Sequence, residues 1–281
     1  MDKNERQNFL YSSISSQNLF EFSPNKIYSV NDAYLKIASN PLTARLVLCE
    51  IIERNLCGNP AAFCKIINLL RTTNDYMAAF WLCEFALSRF KLDSRLYIIM
   101  LELGTELGNP IGYCQEYVNR LWGFKSPWNL DLCLAVFNYY YSVVEMNILG
   151  DFSNEFQLAL KVIQNVKERF PYEEAGYLCE AKLLLLSGDY SSAEKCLRAA
   201  IFEPPNPDED SQRYLVCPKC CRFLLELMAS SDNWQQILRV ASKGLEVATD
   251  GEDKLFFADK RDQAVANIDA IEKHLRNYVK I

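Results

Sequence analysis

The sequence is poor in histidine, and this shortage excludes several kinds of active site. His274 is the one histidine among the 281 residues. A Ser-His-Asp triad, a Cys-His pair or a two-histidine metal site would each have to use it. It stands among Lys273, Arg276 and Lys280 on a predicted terminal helix, where we interpret it as solvent-facing. Histidine-based catalysis is therefore not expected.

Other signatures of catalysis are missing as well. The sequence has no Gly-rich phosphate loop, no helix motif of paired carboxylates and no serine nucleophile signature. We therefore expect neither enzymatic activity nor a bound cofactor or metal. The formal charge of −6, from 30 basic and 36 acidic residues, disfavours nucleic acid as a direct ligand, because sequence-independent binding requires basic surface.

Glycine and proline are scarce, with ten of each, against typical usage of roughly 7% and 5%. A chain with few turn residues favours long helices over a sandwich of short strands. The hydrophobic and charged fractions, 50% and 23%, are globular values. No apolar run approaches the roughly 18 residues that cross a bilayer, so no membrane partner is expected.

Eleven cysteines are scattered through apolar segments. Their number is odd, whereas a secreted disulfide framework usually has an even number in a short chain. The first residues contain no apolar core of signal-peptide length. These features predict a soluble, reduced, cytoplasmic protein in which most cysteines are small buried apolar side chains.

Helical periodicity begins at Pro41, from where apolar residues recur at spacings of three and four. An Asp or Asn in each interruption can cap the following helix, and a preceding glycine suits the left-handed end of the helix before it. After the first break, these Asp and Asn positions are separated by 34 to 43 residues, which indicates stacked helical hairpins. The interruptions are Gly58-Asn59-Pro60, Asn74-Asp75-Tyr76, Gly108-Asn109-Pro110, Gly150-Asp151-Phe152, Gly188-Asp189-Tyr190 and Ser231-Asp232-Asn233.

Three regions follow from this pattern. We expect residues 1–40 to form a weakly structured arm with one short helix near 32–38, residues 41–250 to form the repeat array, and residues 251–281 to form a C-terminal helix. One apolar stripe on that helix would cover the last face of the array. The alternative for the stripe is a two-stranded coiled coil that gives a homodimer. The stripe consists of Ala264, Ile268, Ile271, Leu275 and Tyr278.

Residues 177–205 resemble a tetratricopeptide repeat. Small residues stand where the two helices of this family cross closely and only a small side chain lets the backbones approach. Glu180 departs from the pattern, because the family usually has an apolar residue there. The matching positions are Tyr177, Ala181 and Leu184 on the first helix, Gly188-Asp189-Tyr190 in the turn, Ala193, Leu197 and Ala200 on the second helix, and Pro205 after it.

Residues 63–90 repeat this pattern less well, with Ile67 in place of a small residue. The pair of helices around Gly108 carries Tyr113 and Arg120 where alanines would be expected. Together, the resemblance and the periodicity predict an all-α fold, a right-handed α-α superhelix (solenoid) of about five helical hairpins with a C-terminal capping helix.

The resemblance also implies a binding surface, since the first helix of each pair lines the concave groove in this family. Three of the groove residues are cationic, so we expect a partner with an acidic or carboxylate-bearing segment, bound extended or as a helix. The alternative is that these side chains are merely solvated helix faces. By offset from each turn, the groove residues are Asn68, Arg71, Arg95, Glu102, Tyr140, Asn147 and Lys182.

Two local motifs each allow a second interpretation. Cys217-Pro218-Lys219-Cys220-Cys221 could hold zinc or a redox pair, or it could simply begin a helix, with Cys217 as the cap and Pro218 at the first position. The run Phe137-Asn138-Tyr139-Tyr140-Tyr141 could form a recognition surface or pack inside the array.

The function that this sequence favours is a non-catalytic scaffold or adaptor that binds a partner protein in the groove. The alternatives from other classes are a structural-zinc or thiol-redox protein centred on Cys217–Cys221 and a peptide-sensing regulatory subunit. The latter would need a helix-turn-helix module to control gene expression, and residues 1–40 are too short and too weakly basic to supply one.

Overall fold

A computed structural model describes residue 27 and residues 29–124, 128–146, 153–203 and 217–279. Within these ranges the regular structure is entirely helical, with thirteen α-helices and one short 3-10 helix at Pro41–Thr43. None of the described helices is both long and apolar enough to cross a membrane. Asn147, the turn at 150–152 and Pro205 lie outside the described residues, as do the first 26 residues of the predicted arm.

The chain divides into two compact units, residues 1–146 and 147–281. This boundary falls inside the range 41–250 that the periodicity assigns to one array. Unit 1 contains α1 (Val30–Ser39), α2 (Ala44–Glu53), α3 (Pro60–Thr72), α4 (Tyr76–Arg89), α5 (Ser94–Glu106), α6 (Pro110–Trp122) and α7 (Leu130–Met146). Unit 2 contains α8 (Ser153–Arg169), α9 (Ala175–Leu186), α10 (Tyr190–Phe202), α11 (Pro218–Leu227), α12 (Trp234–Val247) and α13 (Gly251–Val279).

Apart from α2 and α3, the described helices that follow each other within a unit pack together, as in helical hairpins. In unit 1, α1, α3, α5 and α7 also touch in succession, and α2 touches α4. In unit 2 the chain of neighbours runs from α8 to α13, and α9 also contacts α11. Two layers of helices connected in this way are the tetratricopeptide-like arrangement, so the predicted all-α repeat fold is confirmed within each unit. The handedness and the number of hairpins stay predictions.

The predicted caps begin four of the helices. The side chains of Asn59, Asp75, Asn109 and Asp189 accept hydrogen bonds from backbone N–H groups in the first turns of α3, α4, α6 and α10. Gly108 and Gly188 have positive φ at the preceding helix ends, as expected for left-handed termini. For α12 the cap is Asn233, one residue after the predicted Asp232.

Helix α1 lies inside the region expected to be an arm with one short helix. Ser29 Oγ caps it by accepting from the Asp32 N–H at 3.1 Å. Val30, Ala33 and Ile37 are buried, and the helix contacts both α2 and α3. The last part of the predicted arm is therefore packed against the other helices of unit 1.

Small residues mark the places where helices approach most closely. In α9 and α10, Ala181, Ala193 and Ala200 are buried as predicted. In the α5/α6 pair the close approach occurs at Gly104, where an added Cβ would overlap the Cys114 thiol.

Helix α13 covers the end of unit 2. Phe257 and Ala264 are fully buried in the core of this unit, and the Phe257 ring lies directly against Gly244 of α12. Beyond this contact, Val265 and Ile271 are 41% and 49% exposed. The first half of the helix thus packs as a cap, whereas the coiled-coil homodimer stays a prediction.

Candidate functional site

A concave cleft of about 450 Å³ lies in unit 1 among helices α3, α5 and α7. These helices occupy the same layer and contact one another in turn. The cleft includes Arg71 and Glu102, two of the residues predicted for the groove. Its polar lining consists of Arg71 from α3, Glu102, Thr105 and Glu106 from α5, and Asn138, Tyr139, Tyr141, Ser142 and Glu145 from α7.

Helical periodicity explains why these side chains share one surface. Glu102 and Glu106 are four residues apart on α5, so they lie on the same face one turn apart. Asn138, Tyr141 and Glu145 are separated by three and four residues on α7 and likewise share a face. The two faces form two of the walls of the cleft.

Arg71 connects α3 to α5 through two carboxylates. Its Nη1 lies 2.8 Å from Glu102 Oε2, and its Nη2 and Nε lie 2.5 Å and 3.2 Å from the two carboxylate oxygens of Glu106. Burial alone would lower the pKa of Arg71, but the hydrogen bond to Glu106 and the charges of both glutamates outweigh burial and raise it. The guanidinium is therefore a charged clamp between the two helices.

The α7 wall combines an aromatic ring with a carboxylate. Tyr141 is half-buried, and its burial and the nearby Glu145 carboxylate raise the pKa of its phenol, so it stays protonated at neutral pH. Asn138 and Glu145 are exposed. Within the described residues, no ion pair engages Glu145.

The structure brings together part of the predicted groove. Arg71 and Glu102 line the cleft, and exposed Asn68 lies beside Arg71, with its Oδ1 at 3.5 Å from Nη1. Arg95 stands at the start of α5, exposed and outside the lining. Lys182 is an exposed residue of α9 in unit 2.

The prediction for Tyr140 is corrected by the structure. Tyr140 is 1% exposed, and its hydroxyl accepts a hydrogen bond from Trp122 Nε1 at 2.7 Å. Phe137 and Tyr139 are buried as well, so most of the aromatic run packs inside unit 1. Tyr139 and Tyr141, the residues on either side of Tyr140, line the cleft, whereas Tyr140 does not.

The cations from which an acidic partner was predicted are neutralised in unit 1. Arg71 is held by Glu102 and Glu106. Arg95 lies back on the cap residue Asp93, with Nη2 at 2.7 Å from Oδ2. Because each arginine is paired with carboxylates of its own unit, neither presents an uncompensated positive charge to a partner.

The cysteine motif begins helix α11. Cys217 is the N-cap and Pro218 the first helical residue, while Cys217, Cys220 and Cys221 are all buried. A hydrogen bond between two of the thiols lowers the pKa of Cys217 and raises that of Cys221. Among the described residues, no group of three or more His, Cys, Asp or Glu side chains could hold a metal ion.

Glu174 caps α11 from outside that helix, since Cys217 makes no side-chain cap. Its Oε2 accepts a hydrogen bond from the Cys220 N–H at 3.1 Å. Burial raises the pKa of the Glu174 carboxyl, and the hydrogen bond only partly offsets this. The Glu174 carboxylate thus stabilises the start of α11 as a hydrogen-bond acceptor, whereas its poorly solvated charge is unfavourable.

Replacing Glu174 separates these two effects. Glu174→Ala removes the acceptor and should cost about 1 kcal/mol in the free energy of unfolding, whereas Glu174→Gln keeps an acceptor without the charge. Because the folded-state pKa is raised, the stability contributed by protonated Glu174 is present at low pH and lost as the pH rises through that pKa. Urea unfolding should be measured at about pH 4 and about pH 7. The free energy of unfolding of Glu174→Gln, relative to that of the wild type, should be higher at about pH 7 than at about pH 4. An equal difference at both pH values would contradict the prediction.

A second cleft of about 410 Å³ lies in unit 2, and its lining includes Lys167 and Glu180. Glu180 is the residue that departs from the tetratricopeptide pattern. Its carboxylate pairs with Lys167 of α8 and contacts Cys196 Sγ of α10 at 2.9 Å. The polar residue is therefore accommodated by partners on both neighbouring helices, and Lys182 is not part of this lining.

Comparison with known proteins gives a similarity to a solved structure. No protein-family model matches the sequence, and no curated protein matches it. One solved structure to which the chain is similar is a thermophilic TPR protein from Thermus thermophilus, with 21% sequence identity and a TM-score of 0.43, covering 70% of this chain and 95% of that one. The assignment of the repeat fold rests on the packing of the chain's own helices.

Proposed function

We propose that this protein is a non-catalytic scaffold or adaptor that binds a partner protein in the cleft formed by α3, α5 and α7. The observation that carries the proposal is the concave surface itself. Helices α3, α5 and α7 contribute polar and aromatic side chains to one cleft of about 450 Å³, which is within the range of ligand pockets. Repeat arrays use such concave surfaces for extended partners.

The composition of the lining supports a recognition role. Tyrosine provides a large contact area at a low entropic cost, and Tyr141 presents a half-buried ring there. Asn138, Thr105 and Ser142 add groups that can form hydrogen bonds beside it. The cleft therefore offers an anchor for an apolar stem and polar groups that can fix its orientation.

A matched pair of substitutions tests the proposal. Asn138 is exposed on α7 inside the cleft, and Asn119 is exposed on α6 outside its lining. Asn138→Trp should fill the cleft and abolish capture of a stoichiometric protein partner from lysate, whereas Asn119→Trp should retain the partner at the wild-type level. If the wild type and both variants capture the same partner, the cleft is not the binding site. If none of them captures a partner, the adaptor function is contradicted.

A further inference from the structure

The cleft in unit 1 carries an excess of negative charge. Its lining has one cation, Arg71, against the three carboxylates of Glu102, Glu106 and Glu145. Arg71 is bonded to the first two glutamates, which leaves a net charge of about two negative units on a concave surface. A concave wall of low dielectric concentrates this field and attracts positively charged groups.

The two walls of the cleft differ in how they can hold a cation. On α5, the Glu102 carboxylate pairs with Arg71 but is still 45% exposed. On α7, Glu145 is exposed beside the half-buried Tyr141 ring. A carboxylate next to an aromatic face can hold a guanidinium or an ammonium group by ion pairing and cation–π attraction together.

The apolar part of the lining suits the stem of a basic side chain. Leu101 and Ala135 also line the cleft but are only 2% and 7% exposed, so the half-buried Tyr141 ring is the more accessible apolar surface there. Lysine and arginine bury their methylene stems along apolar surface while the charged end reaches polar groups. Neither an acidic nor a purely apolar segment would match both features of this lining.

We propose that the partner segment in this cleft is basic, and that a Lys or Arg side chain of it inserts between the Glu145 and Tyr141 wall and Glu102. This inference rests on the proposed function, because it specifies the partner of the same cleft. The occupant is a segment of another protein, extended or helical, with its cation paired mainly to Glu145. Like-charge repulsion excludes a carboxylate-bearing segment from the same position.

Selection from a library of random short peptides displayed on phage tests the chemistry directly. Wild-type protein should enrich peptides with more Lys and Arg than the unselected library. The affinity of the enriched peptides should fall about tenfold or more for Glu145→Lys, because the substitution replaces attraction by repulsion. Added salt should weaken binding to the wild type.

The matched control is Glu116→Lys, which makes the same change of charge at an exposed residue of α6 outside the cleft. It should leave the affinity within about twofold, as expected for a distant exposed charge. Melting followed by circular dichroism should show that both variants remain folded.

Several outcomes would overturn the inference. They are a selection that yields no peptide, enriched peptides without an excess of cations, and equal binding by wild type and Glu145→Lys. The adaptor function would survive these results if a captured protein partner were still lost with Asn138→Trp. It would fail separately if the lysate yielded no partner at all.

Discussion

Replacing Phe257 by Ala is expected to lower the free energy of unfolding of unit 2 by about 3 to 5 kcal/mol. The ring is fully buried and joins α13 to the core that α10, α11 and α12 build. It also lies against Gly244, where no side chain separates the two helices. Loss of the ring would leave a cavity between α12 and α13 that neighbouring side chains fill only in part.

Leu255→Ala is the matched control on the same helix. Leu255 is 75% exposed, so its truncation should change the free energy of unfolding by no more than about 0.5 kcal/mol. Urea unfolding followed by circular dichroism would compare the two variants with the wild type. Similar small effects for both would contradict a capping role for α13, because a cap must contribute buried contacts to the unit that it covers.

Much of the fold could be predicted because its determinants are local. Asp and Asn before an apolar-periodic segment satisfy the first N–H groups of a helix, and Asp75 and Asn109 do so at the expected residues. The start of α12 was missed by one residue, since Asp232 and Asn233 are both competent caps and their sequence does not decide between them. The division after Met146 depends on tertiary contacts, because the interruption predicted at Gly150-Asp151-Phe152 resembles the interruptions that lie within a unit.

The candidate site was harder to predict because it depends on rotation and on distant partners. One residue along a helix turns the side chain by roughly 100°, so three consecutive tyrosines do not reveal that Tyr140 is buried and Tyr141 faces the cleft. The sequence shows Arg71 and Arg95, but it does not show that carboxylates of the same unit neutralise their charges. Glu106 lies 35 residues from Arg71 along the chain, and only the stacking of α3 on α5 brings them together.

Gly104→Ala is expected to destabilise unit 1 even though alanine favours a helix. Alanine is the better helix former by about 1 kcal/mol, which alone would stabilise α5. Its Cβ, however, would overlap the buried Cys114 thiol, and overpacking of this kind costs about 1 to 3 kcal/mol. The difference between these two effects gives a net loss of up to about 2 kcal/mol in the free energy of unfolding.

A double-mutant cycle with Cys114→Ala isolates the contact. Alone, Cys114→Ala should cost about 1 kcal/mol, since it removes a buried sulfur that lies 3.1 Å from the Met100 carbonyl. The double variant Gly104→Ala/Cys114→Ala lacks the sulfur that the introduced methyl group would overlap. It should therefore be at least as stable as Gly104→Ala, and the coupling free energy between the two substitutions should be about 1 to 3 kcal/mol. Gly251→Ala is the control, because an added Cβ there meets no atom within 4 Å. Additive effects in the cycle would show that the close approach of α5 and α6 does not depend on the absence of a side chain at residue 104.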